Sequence, residues 1–425
     1  MRVSVIGSGY VGLVAGACLA HVGHQVAVVE RNPARVARLH AGEVPLHEAG
    51  LGELLAEGAR TGRLRVTTTL TLAPVVLVAV GTPSGPDGAP DLTALHAAVD
   101  QLVAAAEGPL VLVVKSTVPV GTHARLAARL PAPIALVSNP EFLREGRAVR
   151  DFLDPARIVL GGPAAAVARV RELYAPLGLP DDRILAMDGP SAELTKLGSN
   201  AMIALRVALV NELARLADAT GANMDAVRSG IGADPRIGHE VLRPSPGFGG
   251  SCLPKDLRGL VHAGASAGVP LPLAAAALHS NAAQLDHIMA RVEHALGGLV
   301  GRRVAVWGLA FKAGTDDVRE SAAVALVERL LTGGAVVAVH DPAAMSTARA
   351  LLGDRVQWST DPVAAADGAD AVLIATEWPE YRAVDLAHVL DRMRGDLVYD
   401  ARNLLPAADD AYDGARYRSL GRPAG

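Results

Sequence analysis

RVSVIGSGYVGLVAGACLAHVGHQVAVVE, residues 2–30, decides the fold. RVSVI is apolar and largely β-branched, the composition of a buried strand. GSGYVG then sets Gly7, Gly9 and Gly12 at a turn, with Tyr10 and Val11 between the last two. Small residues run through Cys18 to about Val22 as a helix, and HQVAVVE returns as a second strand ending on Glu30. Glycines at a strand-to-helix turn permit a tight bend and close approach of backbone to a pyrophosphate. The helix N-terminus adds amide donors and the positive end of its dipole. Such a triplet is weak evidence alone. Here it sits between strand and helix, with an acidic residue about 20 positions on at the end of the next strand, and that context makes it a dinucleotide-binding turn. A carboxylate at Glu30 accepts the hydroxyls of a ribose and repels a 2′-phosphate, so NAD is the expected cofactor rather than NADP.

Further βα units follow at VVLVAVGTP (75–83), PLVLVVKST (109–117) and IALVSNPEF (134–142). In a doubly wound sheet the carboxyl ends of the strands face the ligand, which gathers Thr82, Ser116, Thr117 and Glu141 into one crevice. From Ser191 the pattern becomes one long helix, stopped near Gly221, suited to linking domains and to pairing with a copy of itself. The segment to about 290 reads as helical with Pro/Gly interruptions, notably RPSPGFGG (243–250). At Gly301 the α/β rhythm resumes: RRVAVWGLAF, a helix over about 319–333, AVVAVHDP, ADAVLIATEW and DLVYDARNLL. Residues 411–425 read as a frayed tail. The expected fold class is α/β, with two Rossmann-like doubly wound domains joined by a long central helix. The boundaries fall at 1–190 for the NAD-binding domain, 191–295 for the central helical part and 296–425 for the C-terminal domain.

The 425 residues are 50% hydrophobic, ample for substantial cores, and the formal net charge is -4. No basic or acidic block points to nucleic acid or to an anionic membrane. Two cysteines make no disulfide framework, no Cys/His cluster has zinc spacing, and no secretory or membrane-length apolar run occurs. A reducing cytoplasm, no metal, no nucleic acid and no membrane are the expectations. Of 40 basic residues only four are lysine: Lys115, Lys196, Lys255 and Lys312. On a solvated face arginine and lysine are equivalent, so the few lysines mark positions that distinguish a compact ammonium from a guanidinium. Codon bias alone is the bland alternative.

TKLGSN places Lys196 and Asn200 at i and i+4, on one helix face. A lysine and an amide so placed can hold and polarise an alcohol or aldehyde oxygen. In GFGGSCLPKD (247–256) a helix starting near Pro254 puts Ser251 or Cys252 close to its N-cap, where the dipole favours a thiolate. Cys18, among Ala and Leu, reads as core. NAD and an activated cysteine together suit a four-electron oxidation. An alcohol loses one hydride to become an aldehyde. Thiolate addition gives a thiohemiacetal, loss of a second hydride a thioester, and water releases a carboxylate.

GSGYVG, VAVGTPSGPDG, KSTVPVGT, NPEFLREG, ELTKLGSNA, GFGGSCLPKD, GLAFKAGTDDVRES and DARNLL resemble, in order and over nearly the whole chain, the UDP-glucose/GDP-mannose dehydrogenase family. The resemblance implies NAD on the first domain and the nucleotide half of the sugar substrate on the last, with UDP-glucose to UDP-glucuronate the leading reaction. It implies Cys252 as nucleophile, Lys196 and Asn200 as stabilisers of the C6 oxyanion, and Asp256 and Thr117 as positioners of water. Glu141 resembles the acid/base of hydrolysis, and Glu145 shares substrate binding or that role. Arg35, Glu145, Lys255 and Arg319 would join the glycine turn, Thr82, Ser116 and Thr117 around NAD. Phe142, Leu143, Phe248, Gly249, Phe311, Lys312 and Arg402 would line the sugar nucleotide. Arg236 resembles an arginine reaching a neighbouring subunit, which implies a homodimer or higher homo-oligomer. Arg243 stands where many UDP-glucose members have Lys or Asn, and GDP-mannose or TDP-glucose are the alternative substrates. Two further readings compete: a two-electron β-hydroxyacid-type dehydrogenase, which needs neither Cys252 nor a second α/β domain, and a non-catalytic nucleotide-binding protein.

Overall fold

The computed structural model describes residues 1–406 and 416–422, in two compact units. The first comprises Met1–Ser199 with Arg258–Pro270, the second Asn200–Leu257 with Leu271–Gly425. In the first unit the strands are β1 (Arg2–Ile6), β2 (Gln25–Val29), β3 (Leu64–Thr67), β4 (Val75–Val78), β5 (Leu110–Val114), β6 (Ile134–Ser138), β7 (Ile158–Gly161) and β8 (Ile184–Met187). They form one sheet in the order β3-β2-β1-β4-β5-β6-β7-β8. All neighbours are parallel except β6 and β7, which meet antiparallel at Ser138 and Gly161. β1, β4 and β5 are apolar at almost every position and nearly fully buried, as strands with helices on both faces must be. The order reverses between β1 and β4, and the GSG turn leaves β1 at that switch point.

The second unit repeats the plan. β9 (Arg303–Trp307), β10 (Val336–His340), β11 (Gln357–Trp358), β12 (Ala371–Ile374), β13 (Leu397–Asp400) and β14 (Arg416–Ser419) form a wholly parallel sheet ordered β11-β10-β9-β12-β13-β14. It reverses between β9 and β12, the same winding as the first sheet. Trp307, Tyr381 and Tyr399 fill its core. Within the expected tail, residues 416–419 are an edge strand in register with β13, Leu397 facing Arg416. The Arg416 guanidinium donates to Asp396 and to the Ala295 carbonyl, so pairing and side-chain bonds hold a segment too polar to read as a strand. Residues 411–415 and 423–425 lie outside the described residues.

One helix, Gly189–Thr220, joins the two α/β parts, and Gly221 follows it at φ +76°. Met202, Leu209 and Leu216 recur on it every seven residues and are 63%, 56% and 58% exposed. A seven-residue apolar repeat is the spacing along which helices pack on one another in coiled coils.

Candidate active site

The first turn is built as its spacing requires. Gly7 has φ +103°, and a Cβ there would lie 2.7 Å from the Ala79 carbonyl oxygen. A Cβ on Gly12 would lie 2.0 Å from the Gly7 oxygen, so this glycine lets the helix Tyr10–His21 press onto the turn. Gly9, which precedes the helix, faces open space among the described residues: no atom comes within 4 Å of its would-be Cβ. That is the position where backbone must come close to a pyrophosphate. Beyond β2, Glu30 accepts from the Ser8 hydroxyl and from the Asn32 amide at 2.8 Å. Burial pushes its carboxyl up, but these bonds and the charge of Arg35 outweigh it and keep Glu30 below the usual carboxylate range. Arg35 itself holds Ser8, from Nε to Oγ at 2.9 Å and from Nη2 to the carbonyl at 2.8 Å. Open backbone at Gly9, a helix N-terminus and an ionised Glu30 fit NAD. Beside the turn, Thr82 donates to the Thr117 carbonyl at 2.8 Å and Ser116 to the Val80 carbonyl at 2.7 Å, fixing the loops after β4 and β5.

In the same unit Lys196 and Glu141 are both buried and ion-paired at 2.9 Å. The second Glu141 oxygen accepts from the Leu143 amide at 2.7 Å. Burial raises the Glu141 carboxyl, but Lys196, the Leu143 bond and Lys115 overcome it, and it stays below the usual range. The Phe142 ring carries the Arg157 guanidinium at 3.9 Å and the Lys196 ammonium at 5.4 Å. A small cavity is lined by Ser116, Thr117, Ser138, Pro140, Glu193 and Lys196. Glu145 acts through space on Tyr10, whose hydroxyl donates to Glu48 and accepts from the Gly146 amide at 2.9 Å.

In the second unit Asp256 is held at both oxygens, by the Asn200 amide at 2.6 Å and the Lys255 ammonium at 2.5 Å. Cys252 immediately precedes the helix Leu253–Ser266, and its carbonyl accepts the first helical bond, from the Asp256 amide at 2.8 Å. Cys252 is therefore the N-cap, with its sulfur 3.5 Å from the Ser251 hydroxyl. Cys18 is buried in the first core, where burial pushes its thiol up to about 12. GFGG serves its own unit as well as any ligand. A Cβ on Gly250 would strike the Phe311 ring at 2.7 Å, and one on Gly249 the Glu320 carbonyl oxygen at 2.3 Å. Phe248 exchanges backbone bonds with the Asn281 amide.

Arg402 donates to the Ala375 and Phe311 carbonyls at 2.9 and 2.8 Å, tying the strand ends to the loop that carries Phe311 and Lys312. Lys312 lies over the Phe311 ring at 5.5 Å. Arg319 grips Asp317, and Arg236, with its side chain 88% exposed, pairs with Asp234. Arg243 faces Arg228, Arg382 and Arg422; burial first, then these like charges, pull its guanidinium below its usual range. Two buried groups, Glu193 and Glu48, escaped sequence reading, and Lys115 was marked there without a role. The scarcity of lysine was the signal for Lys115; Glu193 and Glu48 had none, since their partners lie far off in sequence.

Comparison with known proteins bears on this arrangement. The NAD binding domain of the UDP-glucose/GDP-mannose dehydrogenase family matches residues 1–178, its central domain 190–283, and its UDP binding domain 305–407. The chain is similar to a UDP-glucose 6-dehydrogenase of Pseudomonas aeruginosa, 40% identical and covering 100% of this chain and 98% of that protein. It is as similar, at 40% over 100% of both, to one of Rhizobium meliloti. Its fold is similar to the structure of a UDP-glucose dehydrogenase from the hyperthermophilic archaeon Pyrobaculum islandicum, with TM-score 0.90 and 38% identity over 100% of this chain and 98% of the other.

Proposed function

The chain belongs to the UDP-glucose/GDP-mannose dehydrogenase family, and we propose that it oxidises UDP-glucose to UDP-glucuronate at the expense of two NAD. The observation that carries this is Cys252 as the N-cap of a helix whose first turn holds Asp256 against Asn200. Full-length similarity to UDP-glucose 6-dehydrogenases supports the substrate, and disfavours the two-electron and non-catalytic readings. Matches to an NAD binding and a UDP binding domain support both ligands.

NAD, when bound, supplies the hydride acceptance, twice for each sugar. The chain's own residues do the rest. Lys196, one turn before Asn200 on the same helix, donates a hydrogen bond to the C6 oxygen while the alcohol's proton passes to water. The Cys252 sulfur then adds to the aldehyde carbon, and the resulting oxyanion is held by the Lys196 ammonium and the Asn200 amide. After the second oxidation, Asp256 and Thr117 orient a water at the thioester, and Glu141 accepts its proton as the C–S bond breaks. The balance is one alcohol, two NAD and one water to one carboxylate, two NADH and three protons. Glu145 shares the substrate side.

Residues 1–190, 191–295 and 296–425 serve as cofactor, central and nucleotide segments in this reading. The open Met202/Leu209/Leu216 repeat supports a homodimer. No helix among the described residues is long and apolar enough to cross a membrane, and none of their His, Cys, Asp and Glu side chains form a group of three that would hold a metal. A cysteine nucleophile at position 252 suits a reducing cytoplasm.

The test is the NADH formed per UDP-glucose at limiting sugar, with GDP-mannose and TDP-glucose in parallel. Two NADH per UDP-glucose is the expected result. One would favour a simple alcohol dehydrogenase, and preference for another donor would reassign the base or hexose.

A further inference from the structure

Lys115 follows β5 and points into the first core. Its residue is buried, and its ammonium donates to Asn139 Oδ1 at 3.2 Å and to the Tyr174 hydroxyl at 3.4 Å. The rings of Phe152 and Tyr174 lie 5.9 and 6.0 Å away. Among the described residues, no carboxylate is hydrogen-bonded or ion-paired to it. A buried ammonium with only neutral ligands is costly and needs compensating charge nearby.

The surrounding network fixes how Asn139 is turned. Asn139 donates from Nδ2 to the Val159 carbonyl at 2.9 Å, so its Oδ1 must face Lys115 and the Tyr174 hydroxyl. Asn139 opens NPEF, two residues ahead of Glu141, and Glu141 is paired with Lys196. Lys115 is thus joined to that pair through Asn139, and its charge acts on Glu141 and on Lys196 through space. The groups with a charge or proton that face it are Tyr174, Glu141 and Lys196. Helix Ala148–Leu153 contributes only the Phe152 ring, its Asp151 being turned to Arg144. Lys196 also shares the small cavity with Glu193.

Two cations and one carboxylate thus occupy one desolvated region. The compensation Lys115 requires comes from Glu141, and the price is repulsion of Lys196. Removing the Lys115 charge would make Glu141 easier to protonate and Lys196 harder to deprotonate. Burial, offset by Glu141 and reinforced by Lys196, brings the Lys115 ammonium down to about 8. A guanidinium would bring five donors to a site with two acceptors and would never release its proton. This explains why a chain with 36 arginines (40 − 4) keeps a lysine here.

We propose that Lys115 is a positioning residue that, through Asn139 and its own charge, holds Glu141 and Lys196 in their working protonation states. The proposal rests on the UDP-glucose reading only for its kinetic test, so a second readout is independent of activity. With four lysines in the chain, protein labelled with 13Cε-lysine yields four lysine signals, and Lys115→Met and, separately, Lys196→Met each remove one and thereby assign it. In Lys115→Met the midpoint of the Lys196 signal should rise by at least about half a unit. Both limbs of the kcat/KM profile for UDP-glucose should move toward higher pH. Lys115→Gln, which keeps a donor to Asn139, should restore folding where Met does not and show the same displacement. An unmoved Lys196 signal in a folded variant overturns the proposal. A moved signal in a protein that makes no NADH from UDP-glucose sinks the functional reading and leaves the electrostatic coupling standing.

Discussion

Asp256 has both oxygens engaged, so its carboxylate is held in place before any substrate arrives. Cys252 sits four residues earlier on the same helical start, and its role is separable from that scaffold. Cys252→Ala should lower steady turnover at least about a thousandfold, while NAD affinity stays within about twofold, because the nucleophile is removed and the glycine turn is untouched. Fluorescence titration and NADH assays check both halves; near-normal turnover would remove the covalent route. Glu193 allows a second prediction. Its two oxygens accept from the Gly121 and His123 amides at 2.7 and 2.6 Å. Burial nonetheless pushes its carboxyl up to about 7, from an ordinary value of 4.5. Between those values the folded chain binds more protons than the unfolded one, so this residue's stability contribution is full below the lower value and is lost as pH rises through the higher. The Tm of the wild type minus that of Glu193→Gln should therefore fall as pH rises from about 5 to about 7.5. A constant difference would contradict the assignment.

At the scale of elements, the first turn separates packing from binding within six residues. Gly12→Ala drives a methyl into the Gly7 carbonyl, where backbone cannot give, and should cost on the order of 1–3 kcal/mol of stability. Gly9→Ala meets open space and should fold normally, yet its methyl occupies the side a pyrophosphate must approach, so NAD binding should weaken at least about tenfold. Melting curves and NAD titrations distinguish the two; equal effects from both would mean the turn does not bind the cofactor in this way. This turn was legible because its chemistry is local. So were β1, β2, β4, β5, β6, β9, β10, β12 and β13, whose apolar runs need no context. β3, β7, β8, β11 and β14 are short or carry polar residues, and the sheet imposes their conformation. In the site, Lys196 with Asn200, and Cys252 with Asp256, were readable from helix spacing. The pairings of Lys196 with Glu141 and of Lys115 with Tyr174 join residues 55 and 59 positions apart, and spacing carries no trace of them. The glycines of GFGG read as making room for a ligand; Phe311, Glu320 and Asn281 account for their absence of side chains at least as directly.

At the scale of the whole molecule, the long helix leaves Met202, Leu209 and Leu216 to water, a stripe whose burial would contribute on the order of 1.5–3 kcal/mol per side chain. The Arg236 side chain is 88% exposed, its guanidinium engaged among the described residues only with Asp234 two residues away. A stripe seeking a partner and an arginine projecting outward are consistent with a symmetric pair in which each copy completes the other's site. Met202→Glu with Leu209→Glu should place like charges on that surface and give a monomer by sedimentation, with turnover falling alongside association. Complementation tests the sharing itself. Arg236→Ala and Cys252→Ala should each be nearly inactive as pure proteins. Mixed and allowed to exchange, half of the pairs are hybrids, and in each hybrid one of the two sites has both residues intact, its cysteine from one copy and its arginine from the other, while the second site lacks both. About a quarter of wild-type activity should then return. If Arg236 serves its own copy instead, each site in the hybrid lacks one of the two residues, and no activity would return.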